Sequence, residues 1–317
     1  MKKRNIALAA LGVAAGAVAV KMLTRDETVN FERVRDQVPH SDKSHFVNVD
    51  GIRVHYQEFG DPAAPPVVMI HGYTASVYSW NRSAPRIADS GFRVVLVDLI
   101  GFGFSGKPRH FEYTIEAQAR MVTRFMDRLG IGAAVLVGSS YGGSVAATIA
   151  LDSPERVDKL VMVDAVINDD LLSHPILKLC AVPGLGEVVT PFLAESRSML
   201  RRRMATTLAS ANHDMITEDR VQAVIRPLRA ADGHHSLLAT SRNWRANRIT
   251  RDAHLISQPT LIVWGEADVV TPLEHGYVLR DAISGSTLVI FKDCGHVPQE
   301  ENAPLFSKLV AEFGVTG

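Results

Sequence analysis

A mostly parallel β-sheet flanked by helices, with a helical cap inserted after the sixth strand, is the architecture the sequence predicts. Two observations carry it. Short uninterrupted apolar runs recur along the chain with helical stretches between them, the alternation that builds a parallel sheet covered on both faces. That alternation then breaks for about eighty residues, too long for a loop.

The elements follow in order. "HFVNVDGIRVHYQEFG" alternates apolar and polar residues around Asp50-Gly51, a strong hairpin signal, and supplies the first two strands. "PPVVMIHGY", "FRVVLVDLIG", "AAVLVGSS" and "VDKLVMVDAV" are the next four, each a continuous run suited to a strand buried on both faces. Between two of them, Ile115, Ala119, Val122, Met126 and Leu129 recur at helical spacing, and Gly130 stops the helix. "PTLIVWGEAD" and "STLVIF" close the sheet. Residues 45–166 and 250–317 therefore form the core and 167–249 the cap, helical and richer in arginine.

The amino terminus differs in kind. "MKKRN" precedes an uncharged apolar run from Ile6 to Val20, and Ala17-Val18-Ala19 offers a cleavage site. Residues 1–23 read as an export signal or a membrane anchor, with Lys2, Lys3 and Arg4 left in the cytoplasm and the enzyme placed outside it, periplasmic, extracellular or membrane-bound. Residues 24–44 are highly charged and read as a linker. The chain has 34 basic and 34 acidic side chains, so no global field attracts nucleic acid. Its two cysteines, Cys180 and Cys294, match no zinc spacing and read as free thiols, although one disulfide between them stays open.

Chemistry enters at Ser140, in "LVGSSYGGSVAATIA". A G-x-S-x-G match alone is weakly specific, but here a strand precedes it and a small-residue helix follows, the setting that lifts a serine hydroxyl to the top of a sheet. Serine is a poor nucleophile at neutral pH and needs a base, which needs an orienting acid. Asp268 lies just after a predicted strand in "VWGEADVVTP". Downstream there are only His275, in a predicted helix and read as a surface residue, and His296, in the loop after "STLVIF". Ser140, Asp268 and His296 are the expected triad, with Asp164 at the end of "VMVDAV" the rival acid. A developing oxyanion needs two donors. The Tyr141 amide supplies one and the Tyr73 amide, after Gly72 in "MIHGYTAS", the other, with His71 bracing that loop.

Taken together, "HGY", "DLIGFGFS", "GSSYGG", "WGEAD" and "CGHVPQEE" make the chain, from about His45 to its end, resemble the α/β-hydrolases, in the serine-nucleophile branch of carboxylesterases and lipases. Ile100 departs from the proline many relatives carry there, which puts the detail of that loop in question. The resemblance sorts the chemistries of the fold. Epoxide hydrolases and haloalkane dehalogenases use an aspartate where Ser140 stands, and the epoxide enzymes need cap tyrosines that are absent between Tyr141 and Tyr277. Carbon–carbon bond hydrolases usually carry a tryptophan after the histidine, where Val297 stands, and proline iminopeptidases favour a different elbow. A carboxylic-ester hydrolase acting on a small-molecule ester or lipid-like substrate remains, needing neither metal nor organic cofactor. A cofactor-free perhydrolase, a carbon–carbon hydrolase with the same triad and a weakly catalytic receptor are the alternatives. Ile176, Leu177, Leu185, Val189 and Phe192 are the cap residues expected near the acyl chain, Leu185 and Phe192 foremost among them.

Overall fold

The computed structural model describes Gly16 and residues 30–170, 182–230 and 232–315, apart from the Phe192 side chain. Its strands are β1 (Ser44–Val49), β2 (Ile52–Phe59), β3 (Pro66–Ile70), β4 (Arg93–Val97), β5 (Ala134–Ser139), β6 (Val157–Val163), β7 (Thr260–Gly265) and β8 (Thr287–Phe291). They form one sheet in the order β1-β2-β4-β3-β5-β6-β7-β8. Every neighbouring pair from β4 to β8 is parallel, while β2 runs antiparallel to both β1 and β4. The predicted hairpin is present: Val49 pairs with Ile52, and Asp50 and Gly51 turn the chain at φ 50° and 84°. Both central residues of such a two-residue turn require positive φ, which is why Asp-Gly suits it.

The helices are α1 (Ala84–Ala88), α2 (Ile115–Arg128), α3 (Tyr141–Asp152), α4 (Leu185–Glu195), α5 (Arg197–Thr207), α6 (Glu218–Leu228), α7 (Gly233–Arg242), α8 (Asn247–Asp252), α9 (Glu274–Ala282), α10 (Pro298–Glu301) and α11 (Ala303–Val315). Helix α2 begins where Thr114 accepts the Ala117 amide at 3.1 Å and ends at Gly130, whose φ is 67°. Strand residues divide by parity, as a period of two demands. Val68, Ile70, Val95 and Val97 join α2 and α3 in one apolar layer. Val67, Met69, Val94 and Leu96 meet α1 and α11 in the other, through Ile87, Phe306 and Val310. Continuous apolar runs are thus explained: both faces of the sheet are covered.

Between β6 and β7 the described residues hold helices α4 to α8 and no strand. The segment expected to be a linker is, from residue 30, a strap on the core. It makes three 3₁₀ turns, Phe31 is only 5% exposed, and its ring meets Phe46 and Phe104 edge-on. Gln57 donates to the Pro39 carbonyl at 2.8 Å. A charge-rich stretch hides such an anchor because one aromatic residue does most of the burying.

Candidate active site

Strand β3 lies between β4 and β5, so the chain leaves β3 to one side and returns to the other. Such a reversal opens a crevice beyond the carboxyl ends of the strands, where ligands bind in open α/β sheets. Ser140 follows β5 directly at that crevice. Its backbone is held at φ 54° and ψ −118°, in the left-handed half of φ space that disfavours a side chain. Two glycines allow the corner. A Cβ on Gly138 would lie 2.2 Å from the Gly142 carbonyl oxygen, and one on Gly142 would lie 2.1 Å from that of Ile70. Strand and helix close on each other only without those atoms.

Ser140, His296 and Asp268 come together, although 156 residues separate the first two. The Ser140 hydroxyl lies 2.9 Å from His296 Nε2, and His296 Nδ1 lies 2.7 Å from Asp268 Oδ2. With Nδ1 protonated and donating to the carboxylate, Nε2 is left to accept the serine proton. Burial pushes the Asp268 carboxyl up, but His296, the Thr271 hydroxyl and the Val270 amide outweigh it and hold the group below its ordinary value. Thr271 was not legible as a site residue. Its hydroxyl donates to Asp268 Oδ2 at 2.7 Å and its amide to Oδ1 at 3.2 Å, and the Trp264 indole fixes its carbonyl at 2.9 Å.

Asp164 is close by but does not touch the imidazole. Its Oδ1 accepts the Gly265 amide at 2.9 Å, its Oδ2 is buried with no hydrogen-bond donor on it, and its φ is 41°. Burial, and then the charge of Asp268, raise its carboxyl well above the usual range. His275 is half-buried rather than at the surface, 3.3 Å from Asn168.

The oxyanion loop lies against the serine. A Cβ on Gly72 would come within 3.1 Å of Ser140 Cβ. Tyr141 opens α3, where a backbone N–H has no intrahelical acceptor. His71 braces the loop: Nδ1 lies 2.8 Å from the Gly72 carbonyl and Nε2 accepts the Leu99 amide at 3.1 Å. Burial lowers its pKa against the pull of Asp98, which suits a neutral ring with one donor and one acceptor. The "DLIGFGFS" loop is wound about Asp98, which accepts the Val77 and Phe104 amides at 2.8 Å each and faces His55 Nδ1 at 2.7 Å. Ile100 is fully buried there, and its carbonyl accepts the Gln118 side chain at 2.8 Å.

The cap meets this platform at several points. Tyr73 donates its hydroxyl to the Leu237 carbonyl at 2.9 Å, Arg203 donates to Thr74 at 3.1 Å, and the His296 amide donates to the Thr207 carbonyl at 2.7 Å. Leu185 begins α4 with 43% of its surface exposed, and Val189 is half-buried. Ile176, Leu177, Cys180 and the Phe192 side chain lie outside the described residues. Cys294 is a buried free thiol, pushed up to about 12 by burial and by the neighbouring Glu301, Asp164 and Asp293. Among the described residues no cluster of side chains could hold a metal ion, and no helix is long and apolar enough to cross a membrane. The apolar amino-terminal run, Gly16 apart, lies outside them.

The chain belongs to the α/β-hydrolase fold family, whose sequence profile matches residues 65–303. A 2-hydroxymuconate semialdehyde hydrolase of Pseudomonas sp. (strain CF600) is 32% identical over 274 residues, 83% of this chain and 90% of that one. A 2-hydroxy-6-oxononadienedioate/2-hydroxy-6-oxononatrienedioate hydrolase of Klebsiella pneumoniae is 30% identical over 288 residues, 85% of this chain and 95% of that one. Among solved structures, a meta-cleavage product hydrolase from Pseudomonas fluorescens IP01 aligns with a TM-score of 0.70 at 26% identity, covering 85% of this chain and 96% of its own.

Proposed function

We propose that this protein is a serine hydrolase that cleaves carboxylic esters of short to medium acyl length through an acyl-enzyme. One observation carries the reading: the relay from Ser140 through His296 to Asp268, at 2.9 and 2.7 Å, set on a strained corner at the head of a helix. Ser140 Oγ attacks the ester carbonyl while His296 Nε2 takes its proton. The Tyr141 and Tyr73 amides receive the oxyanion, and the adjoining helix N-terminus favours negative charge there. His296 passes the proton to the departing alkoxide as the C–O bond breaks. A water then gives its proton to His296 and attacks the acyl carbonyl, and Ser140 recovers the proton as the acid leaves. Asp268 orients the imidazole and offsets its transient charge.

A second reading is favoured by the relatives, whose names place them on 2-hydroxymuconate semialdehyde and related oxo-acids. There the same serine would attack a ketone carbonyl and a carbon–carbon bond would break. Val297, where such enzymes usually carry tryptophan, supports the ester reading instead. The test sets steady-state kcat/KM for p-nitrophenyl esters from acetyl to palmitoyl beside that for 2-hydroxymuconate semialdehyde. A fluorophosphonate label read by mass spectrometry locates the nucleophile. Ester turnover with the label on Ser140 is expected. Label on Ser140 with the semialdehyde cleaved far faster than any ester would replace the ester reading by the carbon–carbon one.

A further inference from the structure

The glutamate that follows the histidine loop is placed to do more than end a helix. Glu301 Oε1 accepts the Gly295 amide at 2.9 Å and the Val297 amide at 3.4 Å, the two residues that flank His296. Its other oxygen faces the cap, where Oε2 accepts the Ala209 amide at 2.9 Å and the Asn212 side chain at 2.7 Å. The amide of His296 itself goes to the Thr207 carbonyl at 2.7 Å. Three consecutive backbone N–H groups around the imidazole are thus received by the cap or by the carboxylate that grips the cap. Gly295 permits the approach, since a Cβ there would lie 2.5 Å from the Thr207 oxygen and 2.8 Å from the Ala209 nitrogen. Asn212 adds a bond to the Asp293 carbonyl at 3.0 Å. Next door, Glu300 Oε2 pairs with Arg220 of α6 at 2.6 Å, with both side chains almost fully buried.

We propose that Glu301 is a positioning residue that couples the seating of the Thr207–Asn212 segment to the placement of the His296 imidazole. His296 reaches Ser140 and Asp268 through its ring while its backbone is fixed by Glu301 and Thr207, so displacing that cap segment displaces the base. A carboxylate suits the task because it accepts on both oxygens. Glutamine has one acceptor oxygen, and its NH₂ would face either the two loop amides or the two cap donors. A glutamate that only stabilised the loop would have no need of the cap-side donors for its effect on the triad. The proposal rests on the serine-hydrolase reading, so its test uses a reaction common to the ester and carbon–carbon forms of that reading.

The experiment is the kinetics of Ser140 phosphonylation by a small fluorophosphonate in the full chain, resolving the maximal rate from the half-saturating concentration. Unfolding midpoints are recorded alongside. Glu301→Gln should lower the maximal rate about tenfold to hundredfold, as a displaced catalytic group does, with half-saturation unchanged. Asn212→Ala removes the cap-side donor to Glu301 together with the bond to the Asp293 carbonyl, and should keep the fold. It should lower the same rate about fivefold, the worth of one hydrogen bond. Folded variants that both react within twofold of wild type would overturn the proposal. A slow Glu301→Gln beside an unchanged Asn212→Ala would also overturn it, reducing Glu301 to a support for the loop. Wild-type protein that never labels at Ser140 would mark failure of the hydrolase reading itself, and the proposal would fall with it.

Discussion

Two carboxylates stand near His296, and their surroundings shift them in opposite directions. Asp268 accepts hydrogen bonds from Thr271 and Val270 and faces the imidazole, whereas Asp164 takes one amide and buries a bare oxygen. Ser140→Ala should cut turnover by about four to six orders of magnitude with the unfolding midpoint held, because the three residues act as a unit. Asp268→Asn should cost about 10⁴-fold in kcat, while Asp164→Asn, which leaves the Asp268–His296 contact in place, should stay within about tenfold of wild type. Steady-state kinetics on the two variants decides between the acids. Asp164 also makes a linkage prediction. Its folded pKa is raised, so above the ordinary carboxylate range the unfolded chain loses this proton while the folded chain keeps it. Stability then falls as pH rises through that window and levels off once the folded pKa is passed. Asp164→Asn removes the group, so its unfolding free energy should gain on wild type from about pH 4 upward, as paired urea melts across pH would show.

Loops, more than strands, made the site readable. The "GSSYGG" corner was legible because two small residues and one serine mark a place where backbones nearly touch. Gly142→Ala should therefore destabilise the fold by about 3 kcal/mol or more, since its Cβ would meet the rigid Ile70 carbonyl rather than a side chain that can swing away. A urea midpoint measures this. Asp268 and His296 were legible because each follows a strand at the sheet edge that carries Ser140. Thr271 and Glu301 were not, since their roles depend on which amides and oxygens approach them, and spacing along the chain does not encode that. The cap residues were least legible. Leu185 is an apolar residue in a helical stretch, as a pocket-lining residue would be, yet it stands at the exposed start of α4. Hydrophobicity says that a side chain wants cover and leaves open which surface provides it.

At the scale of the molecule, the mostly parallel sheet and the interruption after β6 follow from the run of apolar segments, and the strand order and the chain's own beginning do not. Residues 30–43 bind both halves of the fold: Phe31 packs against β1 and the loop holding Phe104, Pro39 receives Gln57 of β2, and Gln37 receives Arg226 of α6 at 2.7 Å. A truncation that begins at Asn30 keeps all of these contacts and should match the full chain in urea midpoint and in Ser140 labelling. One that begins at Ser44 exposes what Phe31 covered, worth about 2 kcal/mol. It also takes the Pro39 and His40 carbonyls from the buried Gln57 amide and leaves it the Ser44 hydroxyl alone, at a further cost of about 1 kcal/mol. The shorter protein should accordingly lose about 3 kcal/mol in urea melts. Because Arg226 loses its partner on the strap, its labelling rate should fall as well, through a cap less firmly seated over His296. Equal midpoints for the two truncations would reduce the strap to a passive tether, and the linker expected from composition would then be the better description of residues 24–44.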